Sequence, residues 1–459
     1  ISWLGILVQS LASFALWVTV ASEGGFHYQL GGWPAPLGIE LRVDGLAVTF
    51  VMLTALVGGA CGWHAGIYLD PEKTWHRYFW PLFWFLWAGL NGVWLGADLF
   101  NLYVALELIS LSAVGLVALG GQADALRAAI RYLMAALQGS LAYLLGVALV
   151  YGQFGSLSLA GISALLPAGS GQAGLVFALV LMVAGLALKT ALFPLHGWLP
   201  PAHGIAKAPV SALLSALVVK ASFYIAARLW LEFGEHLGSY GLAQLVGALG
   251  GVGVLWGSWL AFRQSRLKQV VAYSSVAQIG YLFLLFPLSW GVSEAVALQA
   301  QQGITLQVVS HALAKAAMFL AAGNLIMSVG SNRVDALAGV SRFLPFSLFS
   351  FGLAGVSLMG LPPTGGFAAK WLLLQASLGS GQWWWLIVLL GGGLLSAAYV
   401  FRVYRASFIE NSDTDQFFHP SRSLEVIPMI LALLSLGLGL VAEPVLSVMT
   451  LPFSKGGGG

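Results

Sequence analysis

Lys189, Lys220, Lys315 and Lys370 each interrupt an apolar stretch of the chain, and Glu107 interrupts a fifth. A charged side chain at the centre of a bilayer costs about 2.5–3.5 kcal/mol on insertion scales, so five of them point to function or to a hydrated interior. Burial disfavours the charged form of lysine, and an adjacent carboxylate restores it. Buried lysines near a glutamate can therefore hold or release a proton when a neighbouring charge moves. Arginine stays protonated, and none is expected deep within these stretches.

Imidazoles titrate close to neutral pH and add candidate relay points. His196 follows Pro194, and His203 lies a few residues further on. His311 precedes Lys315 by one helical turn, on the same face. The plainer reading makes the lysines structural ion pairs or snorkelling side chains and the histidines packing residues. Snorkelling works near helix ends, and Lys220 and Lys315 are too central for it. One carboxylate cannot neutralise four lysines, which leaves some of them neutral or held by water.

The elements that position these groups follow from composition. The 459 residues are 59% hydrophobic and 8% charged, against roughly 25% charged in a soluble domain. So few charges cannot cover a soluble fold of this size, and the remaining surface must face lipid. The expected fold is all-α and polytopic, in the cell (inner) membrane. Thirteen stretches are long enough to cross: 1–20, 43–66, 78–97, 99–119, 126–151, 173–203, 206–231, 239–262, 268–287, 295–327, 344–378, 382–404 and 424–450. The first, which begins at Ile1 without a basic flank, reads as a span rather than a signal peptide. Trp383, Trp384 and Trp385 open another at headgroup level.

Two stretches are too long for one straight span, and both carry prolines beside glycines. These are Pro194, Pro200 and Pro201 in 173–203, and Pro362 and Pro363 in 344–378. Proline removes a backbone donor and clashes with the preceding turn, so both helices are expected to break inside the membrane, beside Lys189 and Lys370. Freed backbone groups are tolerated there only where protein or water satisfies them. Two such breaks half a chain apart suggest a duplicated transporter architecture. The expected division is 1–97, a first repeat over 98–236, a second over 237–405, and a closing segment over 406–459.

If the segments alternate, one side receives Lys73, Arg77, Arg127, Arg131, Lys207, Arg263, Arg266, Lys268, Arg333, Arg342, Arg402, Arg405 and Arg422. The other receives Arg42, Arg228 and Lys455. Basic residues accumulate in cytoplasmic loops, which puts the C-terminus outside. Asp44 and Asp98 fall at segment ends, within reach of water or headgroups, and the closing Gly456–Gly459 run reads as a flexible end. A net charge of +3 gives no reason to expect nucleic acid. The single Cys61 forms no internal disulfide or cysteine metal site. No phosphate loop, dinucleotide fingerprint or zinc spacing occurs, so no cofactor, metal or soluble active site is expected.

Several motifs resemble the antiporter-like family shared by Mrp-type cation/proton antiporters and the membrane arm of respiratory complex I. They are Gly96–Tyr103 leading to Glu107, Leu188–Pro200, and Ala208–Leu214 leading to Lys220. Leu267–Ser275, His311 to Lys315, and Gly360–Pro363 leading to Lys370 continue the likeness over most of the chain. Gly31–Ile39 and Asp98–Leu102 most resemble the D-type member of the Mrp branch. The resemblance implies fourteen spans, with a first helix preceding Ile1, and two inverted repeats of five helices. It implies a charge pair between Glu107 and Lys220, Lys189 as central relay, and a continuation through His311, Lys315 and Lys370. Pro201 stands where the family commonly has an acid, Ser215 where it often has histidine, and Gln278 where many complex I relatives have histidine. These departures bear on the entry route for protons.

The expected function is proton movement within a multisubunit cation/proton antiporter, with Na+ as cation and other membrane subunits and lipid as partners. Glu107, Lys189, Lys220, His311, Lys315, Lys370 and His196 form the expected proton pathway, and Pro194, Pro200, Pro362 and Pro363 the breaks. The alternatives are a proton-pumping subunit of a complex I or hydrogenase-type redox complex, and a scaffold that transports nothing.

Overall fold

The computed structural model describes residues 2–33, 38–70, 72, 76–166, 173–234, 240–410 and 417–449. Pro34–Leu37 of the expected D-type motif, Lys73, Lys455 and the closing glycine run lie outside the described residues.

The chain is helical almost throughout. It opens with α1 (Ser2–Glu23), a small antiparallel hairpin of β1 (Phe26–Gln29) and β2 (Glu40–Val43), α2 (Gly45–Tyr68), α3 (His76–Leu95) and α4 (Leu99–Ala118). Next come α5 (Ala123–Phe154), the short α6 (Leu159–Leu165), α7 (Ala173–Thr190), α8 (Leu199–Ile205), α9 (Ala208–Leu213) and α10 (Val219–Phe233). The second half runs through α11 (Tyr240–Arg263), α12 (Leu267–Leu282), α13 (Leu285–Ser289), the long α14 (Glu294–Val329) and α15 (Val340–Phe343). It closes with α16 (Pro345–Met359), α17 (Gly365–Gly379), α18 (Trp385–Ser407), α19 (Arg422–Gly437) and α20 (Ala442–Met449).

All thirteen apolar stretches coincide with a helix or helix pair, but thirteen spans is more than length and composition support. Among the described residues ten helices are long and apolar enough to cross a membrane, or eleven if α19 and α20, bent by 77°, form one span. The other two stretches are α3 and the pair α16/α17, whose halves are only fifteen residues each.

Both broken helices are present. In the first, α7 ends at Thr190, Ala191 takes a left-handed φ of 62°, and the peptide bond before Pro194 is cis. Pro200 and Pro201 then sit in the first turn of α8, where no intrahelical donor is lost. In the second, α16 ends on Gly360 at φ 80°, a cis bond joins Pro362 to Pro363, and Thr364 caps α17 by accepting from the Phe367 N–H.

Loop contacts sort the chain ends into two layers, with alternating segments. At one end Arg42 meets Glu232, Asp98 bridges to Ser158, and Gln382 donates to the Pro287 carbonyl at 2.8 Å. At the other, Arg266 bridges to Arg333, Arg402 donates to the Phe262 and Gln264 carbonyls, and Arg342 pairs with Glu410. Between them α10, α12 and most of α14 are buried from every side, while α1 presents its apolar residues outward. The core is thus helical and enclosed, with a lipid-compatible shell. Lys220 lies on α10 and Lys315 on α14, with α12 packed beside α14.

Candidate functional site

The first group forms where α4, α5 and α7 meet. Glu107 and Ser110 lie one turn apart on α4, Ser140 projects from α5, and Lys189 is the penultimate residue of α7. The Lys189 ammonium donates to Glu107 Oε1 at 3.1 Å, Ser110 Oγ at 2.8 Å and Ser140 Oγ at 2.5 Å, and Ser140 also donates to Glu107. All three ammonium donors are thereby used. Gly139 makes this possible, because a Cβ there would stand 2.8 Å from Lys189 Cγ and 2.7 Å from the Gly185 carbonyl. The lysine side chain is 5% exposed and the glutamate 20%, so Glu107 is the member that reaches outward.

The expected pairing of Glu107 with Lys220 is therefore corrected: the partner of Glu107 is Lys189. Lys220 is 1% exposed and donates to the main-chain carbonyl of Ser215. That acceptor comes from backbone geometry. Residues Leu214–Val218 form a π-helical segment between α9 and α10, which breaks the regular i→i−4 ladder and turns a carbonyl toward the ammonium. Ser215 Oγ and Ser275 Oγ lie 2.7 Å apart, tying this segment to α12.

On α14, Lys315 is wholly buried. It donates to the Val271 carbonyl at 2.8 Å and to Ser274 Oγ. Ser274 and Ser275 both donate to that same carbonyl, at 2.9 and 3.1 Å. Hydrogen bonds run from Lys315 through the Val271 carbonyl and the Ser275 hydroxyl to the Ser215 hydroxyl, and Lys220 meets the same serine at its carbonyl. Further along α12, Gln278 donates to the Leu358 carbonyl at 3.1 Å and accepts from Gln307 at 2.8 Å. The Lys370 ammonium donates to that Leu358 carbonyl at 3.0 Å and to the Met359 carbonyl at 2.9 Å. These carbonyls are left unpaired by the break after α16. Lys370 also lies 4.8 Å from the Tyr281 ring centroid.

Two imidazoles complete the interior. His311 and His203 are buried, and neither ring has a hydrogen-bond partner on either nitrogen. Lys220 and Lys315 act electrostatically on both, and Lys268 acts on His203 as well. His203 belongs to α8. His196 is only half-buried, stacks on Phe193 at 5.7 Å, and has no bond to the lysines.

Three further expectations change. Lys268, grouped by sequence with the basic residues of the cytoplasmic-side loops, is buried and donates to the Ala206 carbonyl. Asp44 and Arg228, assigned to an accessible edge, form a buried pair at 2.5 Å, with Arg228 also donating to Tyr224. Burial works to raise the Asp44 carboxyl, but the Arg228 and Arg42 guanidiniums outweigh it and bring the group down from 3.8 to about 2. Glu425 is a buried acid that hydropathy passed over, and it accepts from the backbone N–H and hydroxyl of Ser347. Among the described residues no three His, Cys, Asp or Glu side chains converge as metal ligands.

The arrangement holds three lysines on main-chain carbonyls and hydroxyls and only one on a carboxylate. Carbonyls accept from an ammonium or a neutral amine alike, so such sites can change protonation state without losing all their partners.

Residues 96–396 match the family model described as NADH:quinone oxidoreductase/Mrp antiporter, transmembrane. NADH-quinone oxidoreductase subunit N of Desulforudis audaxviator is 38% identical over 407 residues, covering 88% of this chain and 80% of that protein. The D-type Na(+)/H(+) antiporter subunit of Bacillus subtilis is 30% identical over 442 residues, covering 96% and 86%. A chain in the structure of the membrane-bound sulfane sulfur reductase, an archaeal respiratory membrane complex, superposes with a TM-score of 0.89 at 27% identity, covering 98% of this chain and 90% of that one.

Proposed function

This chain belongs to the transmembrane family of NADH:quinone oxidoreductase and Mrp antiporter subunits, and on that premise we propose that it carries protons as one membrane subunit of a multisubunit cation/proton antiporter, with Na+ the exchanged cation. The observation that carries the proposal is the row of Lys189, Lys220, Lys315 and Lys370, all buried and only Lys189 meeting a carboxylate, with Lys220 and Lys315 both reaching the Ser215–Ser275 contact. Charges this deep are expensive unless they serve transport.

The pathway runs from Glu107 and Lys189 through Lys220, His311 and Lys315 to Lys370, with His196 near the first break. When a proton or cation neutralises Glu107, the Lys189 ammonium loses its counter-charge, and passing its proton inward becomes less costly. The hydroxyls of Thr190 and Ser222, 3.0 Å apart, connect the end of α7 to the lysine helix α10. His203 and His311 are buried near Lys220 and Lys315, with no hydrogen-bond partner on either ring nitrogen. Residues 98–236 and 237–405 act as two repeats, which the opposite travel of the two broken helices between the layers supports. The end bearing most Lys and Arg faces the cytoplasm, and the C-terminus lies outside.

A redox-driven pump is the second reading, favoured by the NADH-quinone oxidoreductase relative and by the respiratory complex among the similar structures. Both readings make other membrane subunits its partners, and the co-purifying proteins separate them: small hydrophobic antiporter subunits, or subunits bearing iron–sulfur clusters. Proton transport is tested by Lys315→Ala in everted vesicles. At least a tenfold loss of proton-coupled transport is expected with the complex still assembled, while unchanged transport would favour a scaffold role.

A further inference from the structure

The end of the molecule bearing Arg266 and Arg333 carries a cavity of about 280 Å³ between α5, α8, α12 and the residues after α14. Arg127, Arg131, Arg266, Gln269 and Asn332 line it, with Asp124 as its only acid. Asp124 is already engaged by Arg127 at 3.1 Å. Neither Arg131 nor Arg266 has an ion pair or hydrogen-bond acceptor for its guanidinium among the described residues. The Asn332 side-chain oxygen accepts from the Lys268 N–H at 3.1 Å, which turns its amide NH2 the other way. The side chains with capacity to spare are thus mainly donors, and they surround a space large enough for a tetrahedral anion.

We propose that this cavity holds the phosphate headgroup of an anionic membrane lipid. Guanidiniums match phosphate oxygens with paired, charge-assisted hydrogen bonds. The depth is that of headgroups, since the residues come from the start of α5, the N-cap of α12 and the chain just beyond α14. A second observation selects lipid over free phosphate. Leu126, Ile130, Met134 and Leu137 descend α5 from the cavity at intervals of four, four and three residues, all of them exposed. One face of a helix is continuous at that spacing, so an apolar strip runs beside the basic cavity, roughly a third of a turn around α5 from the residues that line it. A phospholipid has the same order of parts, whereas inorganic phosphate would use only the upper one. None of these groups belongs to the lysine row, and the site is independent of whether protons move.

The experiment is a titration of the purified complex in detergent with short-chain phosphatidylglycerol, phosphatidylcholine of equal chain length, and inorganic phosphate, followed by native mass spectrometry. The expected result is one saturable phosphatidylglycerol per chain, with the other two probes at least tenfold weaker. Arg131→Gln with Arg266→Gln removes two charge-assisted contacts and should weaken binding by at least roughly a hundredfold. Arg131→Lys with Arg266→Lys keeps the charge but not the forked donors, and should fall between. Three results would overturn the proposal: equal binding of the two lipids, phosphate binding as tight as phosphatidylglycerol, or undiminished lipid in the double glutamine variant. So would binding that appears only once the partner subunits are removed, since that would assign the cavity to an acidic partner surface.

Discussion

At the residue scale, what distinguishes this interior is the kind of partner each charge has. Lys189 faces a carboxylate and two hydroxyls, whereas Lys220, Lys315 and Lys370 rest on carbonyls that a π-helical segment, a helix backbone and a broken helix provide. Asp44 and Arg228 make the opposite kind of site, a locked pair at the edge of the bundle. Removing one member of a buried pair costs about 3–5 kcal/mol because the other charge is stranded. Arg228→Ala should therefore lower the thermal unfolding transition sharply, and Asp44→Asn with Arg228→Gln should recover part of the loss. The sign of the acid dependence follows from the depressed carboxyl. Asp44 contributes stability in full above its unfolded value of 3.8 and loses it as pH falls through about 2. That contribution is roughly 2 kcal/mol, and it should disappear from the acid limb of an unfolding profile in Asp44→Asn.

Sequence located the charges but not their partners. The four lysines and Glu107 were legible because an ionisable residue in an apolar run stands out from its neighbours and is costly to insert. Which lysine meets Glu107 was not legible, since that depends on how α7 settles against α4 and α5. Lys268 escaped because it sits beside a loop in sequence and turns inward only in the folded chain. Ser215 and Gln278 read as departures from a family pattern, yet each supplies a polar atom to the row. A serine at i−5 from a buried lysine is a usable signal only where a π-helical turn is already expected.

At the element scale, the second break and the π-helical segment each present carbonyls to a lysine, whereas the first break ends α7 where Lys189 meets Glu107 and two serines. Proline and glycine punctuation made the breaks visible in the sequence, whereas nothing in residues 214–218 announces a π segment. Helix approach is set by small residues. Gly139 on α5 has no room for a side chain against Gly185 and Lys189, while Gly152 on the same helix has nothing within 4 Å. Gly139→Ala should cost about 1–3 kcal/mol through overpacking, and Gly152→Ala should be neutral or stabilising by up to about 1 kcal/mol. Thermal unfolding of the two variants in the same detergent compares them directly. Equal behaviour would mean that α5 and α7 are not in close contact.

At the scale of the whole molecule, alternation of segments was legible from the distribution of Lys and Arg, and the loop contacts repeat it without reference to charge. The span count was not legible, because a bent terminal pair and halves of fifteen residues defeat a hydropathy window. Orientation can be tested cleanly because the only cysteine, Cys61, is fully buried. A membrane-impermeant maleimide should label Ser265→Cys in everted vesicles and leave it unlabelled in right-side-out ones, with Ser293→Cys behaving in the reverse way. The inverse pattern would turn the molecule over.

Coupled protonation of the buried lysines is the central claim, and Lys220→Ala reaches it most directly. Lys220 is fully enclosed, makes its bond to the adjoining π-helical segment, and contributes to no surface. Proton-coupled transport measured in everted vesicles should be abolished in this variant while the complex assembles in normal amount. Transport at the level of the unaltered protein would contradict the claim.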